Sequence, residues 1–182
     1  MPNLGSRYLD EIFRDLRGHK RLADSAIAQL SDEQFFATLD PESNSVAIIV
    51  KHMAGNMGSR FTDFLTSDGE KADRNRDQEF LMTSATRRAD VMGWWEQNWQ
   101  LVFETINSLQ ADDLDRKVPI RGQPHTVLQA LNRAVAHLSY HMGQIVFLAK
   151  HWKGPDWKTL SVAKGQSEQH NAEMFEKYKT KS

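Results

Sequence analysis

Apolar residues recur at helical spacing in four long segments, and no stretch of comparable length alternates with the period of two that marks a half-buried strand. The pattern predicts an all-α chain. The first segment, about Ser6 to Leu30, aligns Tyr8, Leu9, Ile12, Phe13, Leu16, Ala23, Ile27 and Leu30 on one stripe, with Asp10 and Glu11 suited to the positive end of the helix dipole. Ser31 to Gln34 reads as a capping box opening a short turn of helix that Pro41 helps to end. The second long helix is expected from Asn44 or Ser45 to about Thr66, turning Val46, Ile49, Val50, Met53, Met57, Phe61 and Phe64 inward. The third is expected from about Ser84 to Leu109, burying Val91, Met92, Trp95, Trp99, Val102, Phe103, Ile106 and Leu109. The fourth follows a second capping box, Thr126 with Gln129, and stops at Gly154-Pro155.

Between the helices the pattern breaks twice. Asp68 to Glu79 holds eight charged residues in twelve, of both signs, and suits a solvated or self-paired crossover loop. Pro119, Gly122 and Pro124 interrupt Lys117 to Thr126, which predicts a small hairpin or extended excursion before the last long helix. Helices of roughly 22 to 27 residues span about 33 to 40 Å, the dimensions of a four-helix bundle with sites between facing helices. The expected organisation is one domain over residues 1–182. Its tail, 152–182, packs on the bundle through Trp157, Leu160 and Val162 and then runs helical or frayed to Ser182.

Composition narrows the function. The 182 residues carry 23 basic and 24 acidic side chains, a formal charge of −1, so no overall basic field favours nucleic acid or an anionic membrane surface. The chain has no cysteine. Disulfides, thiolate-held metals and a cysteine nucleophile are therefore excluded, and any thiol chemistry must import its sulfur. Residues Met1 to Arg7 lack the pattern of a secretory signal, and the apolar runs Val46 to Val50 and Ile145 to Ala149 fall far short of the roughly 20 residues a membrane span needs. A cytoplasmic protein is expected.

His137 and His141 stand four apart on the fourth helix, so their rings share a face and can converge on one ion. Their row runs Ala130, Ala134, His137, His141, Gln144, Leu148, and its two alanines leave room beside the rings. His52, on the second helix beside the Ile49-Met53 stripe and followed by Gly55, Asn56 and Ser59, is the third candidate. Three neutral imidazoles leave coordination positions open, which is the pattern of a catalytic rather than a structural metal site. Asn56 and Gln144 are candidates to orient a ligand or a histidine, or are ordinary polar helix residues. Trp95 and Trp99 are candidates to wall a cavity, with core anchoring or a dimer face as the commoner role. Arg60, Lys71, Arg74, Arg76, Arg121 and Arg133 include possible contacts to an anionic substrate, although a lone arginine is usually a surface or ion-pair residue. His125 is placed to reach the mouth of the site, whereas His19 and His151 read as structural and His170 lies in the polar tail.

The stretches SVAIIVKHMAGN, SRFTDFLTSDGEK, HTVLQALNRAVAHLSYHMGQI and WKTLSVAKGQS resemble the DinB/YfiT-like superfamily, and within it a subgroup of undefined function. The resemblance covers most of the chain. It implies a four-helix bundle, often homodimeric, with a histidine triad that maps onto His52, His137 and His141 and holds zinc, nickel or a similar ion. It also implies a small-molecule substrate, and relatives that use a low-molecular-weight thiol suggest an S-transferase, with hydrolysis as a variant. The alternatives are a non-catalytic metal-binding or dimeric helical interaction or stress-response module, and histidines merely hydrogen-bonded in a core.

Overall fold

The computed structural model describes residues 3–179. Four long helices carry the apolar stripes: α1 (Leu4–Ile27), α3 (Val46–Phe61), α4 (Arg88–Ser108) and α5 (Val127–Lys153), with the single turn α2 (Asp32–Phe36) between the first two. Helix α1 lies on α5, α3 lies on α4, and α3 also meets α5, so all four share one core. The fold is the all-α helical bundle expected. Its largest wholly buried side chains, Trp95, Trp99, Phe35, Leu16, Met53 and Met57, come from α1, α2, α3 and α4.

Local chemistry explains where the helices begin. Asn3, Ser45 and Thr126 each accept the backbone N–H three residues on, and Gln34 and Gln129 close the capping boxes with Ser31 and Thr126. Helix α1 starts at Leu4, which moves Asp10 and Glu11 out of the first turn, where no acidic residue stands. Helix α4 starts later than expected, at Arg88, because the Asp90 carboxylate takes the Arg87 N–H at 3.1 Å and fixes the entry there. Helix α5 ends where Gly154 adopts a positive φ ahead of Pro155.

The largest departure is at the end of α3. The helix stops at Phe61 rather than Thr66, since Thr62 is extended and Asp63 takes φ 48°. The Asp63 carbonyl then accepts N–H groups from Thr66 and Ser67. This turn brings Phe64 back to stack on Phe61 at 5.5 Å instead of continuing the stripe.

The excursion before α5 is a hairpin, β1 (Lys117–Ile120) against β2 (Gln123–Thr126), antiparallel with Ile120 opposite Gln123. Its two-residue turn, Arg121-Gly122, has positive φ at both positions, as a tight hairpin of this length requires. After α5, Trp157 and Leu160 pack on the core and Gln29 exchanges two hydrogen bonds with the backbone of Lys158. Val162 is exposed, and the last helix, α6 (Ser167–Lys179), buries no residue, so the docking expected of the tail is seen only as far as Leu160. Expectations for residues 1–2 and 180–182 lie outside the described residues. Among those described, no helix is long and apolar enough to cross a membrane.

Candidate metal centre

Because α3 and α5 face each other, the three histidines singled out by spacing meet. One ring nitrogen from each of His52, His137 and His141 falls within a group whose members all lie within 4.8 Å of one another. Ring centroids are 4.6 Å apart for His137 and His141, 5.0 Å for His52 and His141, and 5.5 Å for His52 and His137. The triad could hold a metal ion, given small rotations of the rings.

The outer nitrogens show how two of the rings are held. Nδ1 of His52 donates to Glu79 Oε2 at 2.7 Å, and Nδ1 of His141 donates to Gln144 Oε1 at 2.7 Å. Both acceptors fix the Nδ1–H tautomer and leave the Nε2 lone pair free, the arrangement of a metal-binding imidazole. Nδ1 of His137 is buried with no hydrogen-bond partner. Burial, then the neighbouring His141 and His52, push the His137 pKa down to about 4. Burial also lowers that of His141, against an opposing hydrogen bond with Gln144. Both rings are therefore neutral near pH 7, the state that binds a cation. An unpartnered buried nitrogen and an all-imidazole donor set fit a divalent transition ion.

Glu79 is the site residue that sequence reasoning missed. It sits at 7% exposure in the 3-10 turn Arg76–Phe80, inside the segment expected to be a solvated or self-paired crossover loop. Its carboxylate takes His52 and also Nε and Nη2 of Arg74, at 2.7 and 2.9 Å, and the Arg74 side chain is itself 5% exposed. Burial alone would raise the Glu79 pKa, but hydrogen bonds from His52 and Arg74 and the charge of Arg74 outweigh it and leave the pKa lowered. The loop reaches this depth because α3 has no side chain at Gly55, where a Cβ would stand 2.5 Å from Glu79 Oε1. Gly55 thus admits the loop, and Ser59 ties it down through Gly69 O and Lys71 N. Phe80 stacks on the His52 ring at 4.7 Å. Phe80 and Met82, just after Glu79, are partly buried and are the signal in the sequence that this end of the loop turns inward, while Leu81 between them is exposed.

Beside the triad lies a cavity of about 370 Å³, within the range of small-molecule sites, walled by α3, α5, the loop and β1. His52, His137, Asn56 and the two alanines of the α5 row, Ala130 and Ala134, line it. Asn56 bonds to no histidine among the described residues, so it belongs to the cavity rather than to a ligand's support. Trp95 takes the commoner of its two expected roles, a core anchor, and not that of a cavity wall. It is wholly buried, donates Nε1 to Asp24 at 2.8 Å and packs edge-on against Trp99, away from the cavity, because its position on α4 faces the core that α1 closes. His125 turns to its own strand, with Nδ1 at 2.9 Å from Gln123 O, and does not line the cavity. His19 is half-buried, with Nε2 3.3 Å from Ser139 Oγ.

Fold and site together define a helical bundle with a histidine triad beside a cavity of about 370 Å³. Residues 3–166 match the family described as "Protein of unknown function (DUF1572)", and the chain belongs to that family. No curated protein matches the chain.

Proposed function

We propose that this is a metal-dependent enzyme of the DinB type, in which His52, His137 and His141 hold a divalent ion, zinc or nickel, against the cavity. The observation that carries the reading is the convergence of three imidazoles from two helices at the edge of a cavity, with no anionic ligand among the described residues to close the set. Bound there, a divalent ion supplies Lewis acidity that makes a nucleophile of water or of an incoming thiol near neutral pH. The chain's own residues do the rest. Glu79 and Gln144 hold protons on the outer nitrogens of His52 and His141, so that the inner lone pairs stay available. Phe61 and Phe64 form an apolar wall of the cavity. Without a cysteine in the chain, a sulfur nucleophile comes from a low-molecular-weight thiol co-substrate, which gives thiol transfer to an electrophile, with hydrolysis of a small substrate as the alternative.

The test strips the purified protein with chelator, reloads it with zinc or nickel, and assays conjugation of cysteine, glutathione and coenzyme A to monochlorobimane alongside hydrolysis of p-nitrophenyl esters. The expected result is about one equivalent of metal, lost in His137→Ala, and turnover that follows the metal. Unchanged metal binding in a folded His137→Ala protein rejects the ligand set. Stoichiometric metal without turnover of any of these substrates rejects the enzymatic reading in favour of a binding module.

A further inference from the structure

Five arginines, Arg60, Arg74, Arg76, Arg121 and Arg133, line the cavity. Three carboxylates stand near them. Glu70 is shared among Arg60, Arg74 and Arg121, each at 3.2 Å, and Glu79 is taken by Arg74 and His52. Asp68 is committed to the backbone N–H groups of Arg121 and Gly122 at the hairpin turn. That leaves cationic capacity unspent. Arg133 makes no ion pair among the described residues, and Arg76 has only the face of Phe80, at 4.9 Å. Arg60 is largely buried, yet its Nη1 has no hydrogen-bond partner. A buried guanidinium N–H without an acceptor is costly, and a neighbouring unpaired arginine on the same cavity makes the cost greater still unless something anionic enters.

The register of the two helices gives these cations a direction. On α3, His52, Asn56 and Arg60 follow one another at four-residue steps, and on α5, Arg133, His137 and His141 do the same. All of these except His141 line the cavity. One end of it therefore carries the histidines, and the other carries Arg60 and Arg133, one to two helical turns away, or roughly 6 to 12 Å. Phe61, Phe64, Val118 and Ile120 supply apolar wall.

We propose that the cavity takes a small organic anion: a hydrocarbon body bearing a carboxylate or phosphate group, with the oxyanion on Arg60 and Arg133 and the body reaching toward the triad. Planar guanidinium forks match both oxyanions, which is why the two are named together. The assignment rests on the cavity being a substrate site, as the enzymatic reading holds, and it fixes where along the molecule the acidic group lies relative to the reacting atom.

The test is calorimetric titration of the metal-stripped protein, so that no anion can bind through a metal, with phenylacetate, phenyl phosphate, neutral 2-phenylethanol and inorganic phosphate. One or both aromatic anions should bind at least about tenfold tighter than 2-phenylethanol, and less tightly as salt is raised. Whichever binds better identifies the oxyanion. Arg133→Gln removes a partner-free surface charge and should fold normally while weakening the anion about tenfold, and Arg60→Met should weaken it at least as much. Equal binding of the neutral alcohol, no binding of either anion, or full affinity in Arg133→Gln overturns the assignment. Inorganic phosphate bound as tightly as phenyl phosphate overturns the hydrocarbon body. The unsubstituted protein separates the two proposals: anion binding by a protein that takes up no metal on reloading leaves this one standing and removes the metal enzyme, whereas metal uptake without anion binding does the reverse.

Discussion

Glu79→Gln tests most directly how the triad is held. The substitution keeps the shape of a side chain that is 7% exposed and removes its charge. The native carboxylate accepts three hydrogen bonds, at 2.7 Å from His52 Nδ1 and at 2.7 and 2.9 Å from Arg74. An amide offers one oxygen to these three donors and turns its own NH2 group on another. At least one charge-assisted bond is lost, worth about 1.5–3 kcal/mol, and Arg74 keeps only Glu70 as a counter-charge. Loss of the carboxylate behind a ligating histidine typically lowers metal affinity about 10- to 100-fold, equivalent to about 1.4–2.7 kcal/mol. The measurement is zinc affinity by competition with a chromophoric chelator, made on protein whose helicity and melting transition show it to be folded. A structural role alone lowers the melting temperature and leaves the affinity of the folded protein intact. Wild-type zinc affinity in folded Glu79→Gln protein would therefore refute the claim that this carboxylate orients His52.

Gly55→Ala should reproduce that defect by another route, since its methyl group meets Glu79 Oε1 at 2.5 Å and Cδ at 2.7 Å; the strain of about 1–3 kcal/mol exceeds the gain of about 1 kcal/mol in helix propensity, and zinc affinity should fall with stability. Gly18→Ala, at a helix position where an added Cβ meets nothing within 4 Å, should instead raise the melting temperature. Acidification supplies the last test. The native His137 pKa, about 4, is below the unfolded value of 6.5, so the unfolded chain binds the extra proton first and stability of the metal-free protein falls as pH drops from about 6.5 toward 4. Glu79, lowered from 4.5, has the same sign and loses its contribution further down, as it protonates. Thermal melts of chelated protein across this range should show the slope, and His137→Gln should flatten its upper part; an unchanged slope in that variant contradicts the assignment.

Helix identity was legible because each long helix carries an unbroken stripe and, for α3 and α5, a hydroxyl cap that its sequence announces. The end of α3 was not. Phe61 and Phe64 keep helical spacing, so periodicity runs straight through Thr62-Asp63, and only the backbone reversal at Asp63 shows that Phe64 reaches its place by a turn. Two of the three histidines were paired by their spacing on one helix. The third depended on how two helices face each other, which local pattern does not encode and the resemblance supplied. Trp95 illustrates the opposite difficulty: an aromatic residue on an apolar stripe suits a core more often than a cavity wall, and its Nε1 bond to Asp24, 71 residues away in sequence, decides between them.

The charged loop was legible as a solvated or self-paired crossover but not as part of the site, for a physical reason that also bears on the global charge. Eight charges in twelve residues look solvated because a charge alone belongs in water, but charges of opposite sign enter an interior together when geometry lets them pair. Arg74 and Glu79, five residues apart, do this, and their pairing lets a carboxylate stand behind His52. The same limitation applies to the net charge of −1, which rules out a broad basic field without saying how the 23 cations are distributed. Five of them line one cavity. Two of these, Arg60 and Arg74, also help to depress the pKa of His137, after burial and the neighbouring histidines. The wall proposed for an oxyanion thus adds, behind burial, to what keeps a ring of the triad unprotonated, and a neutral ring is what a metal ion requires.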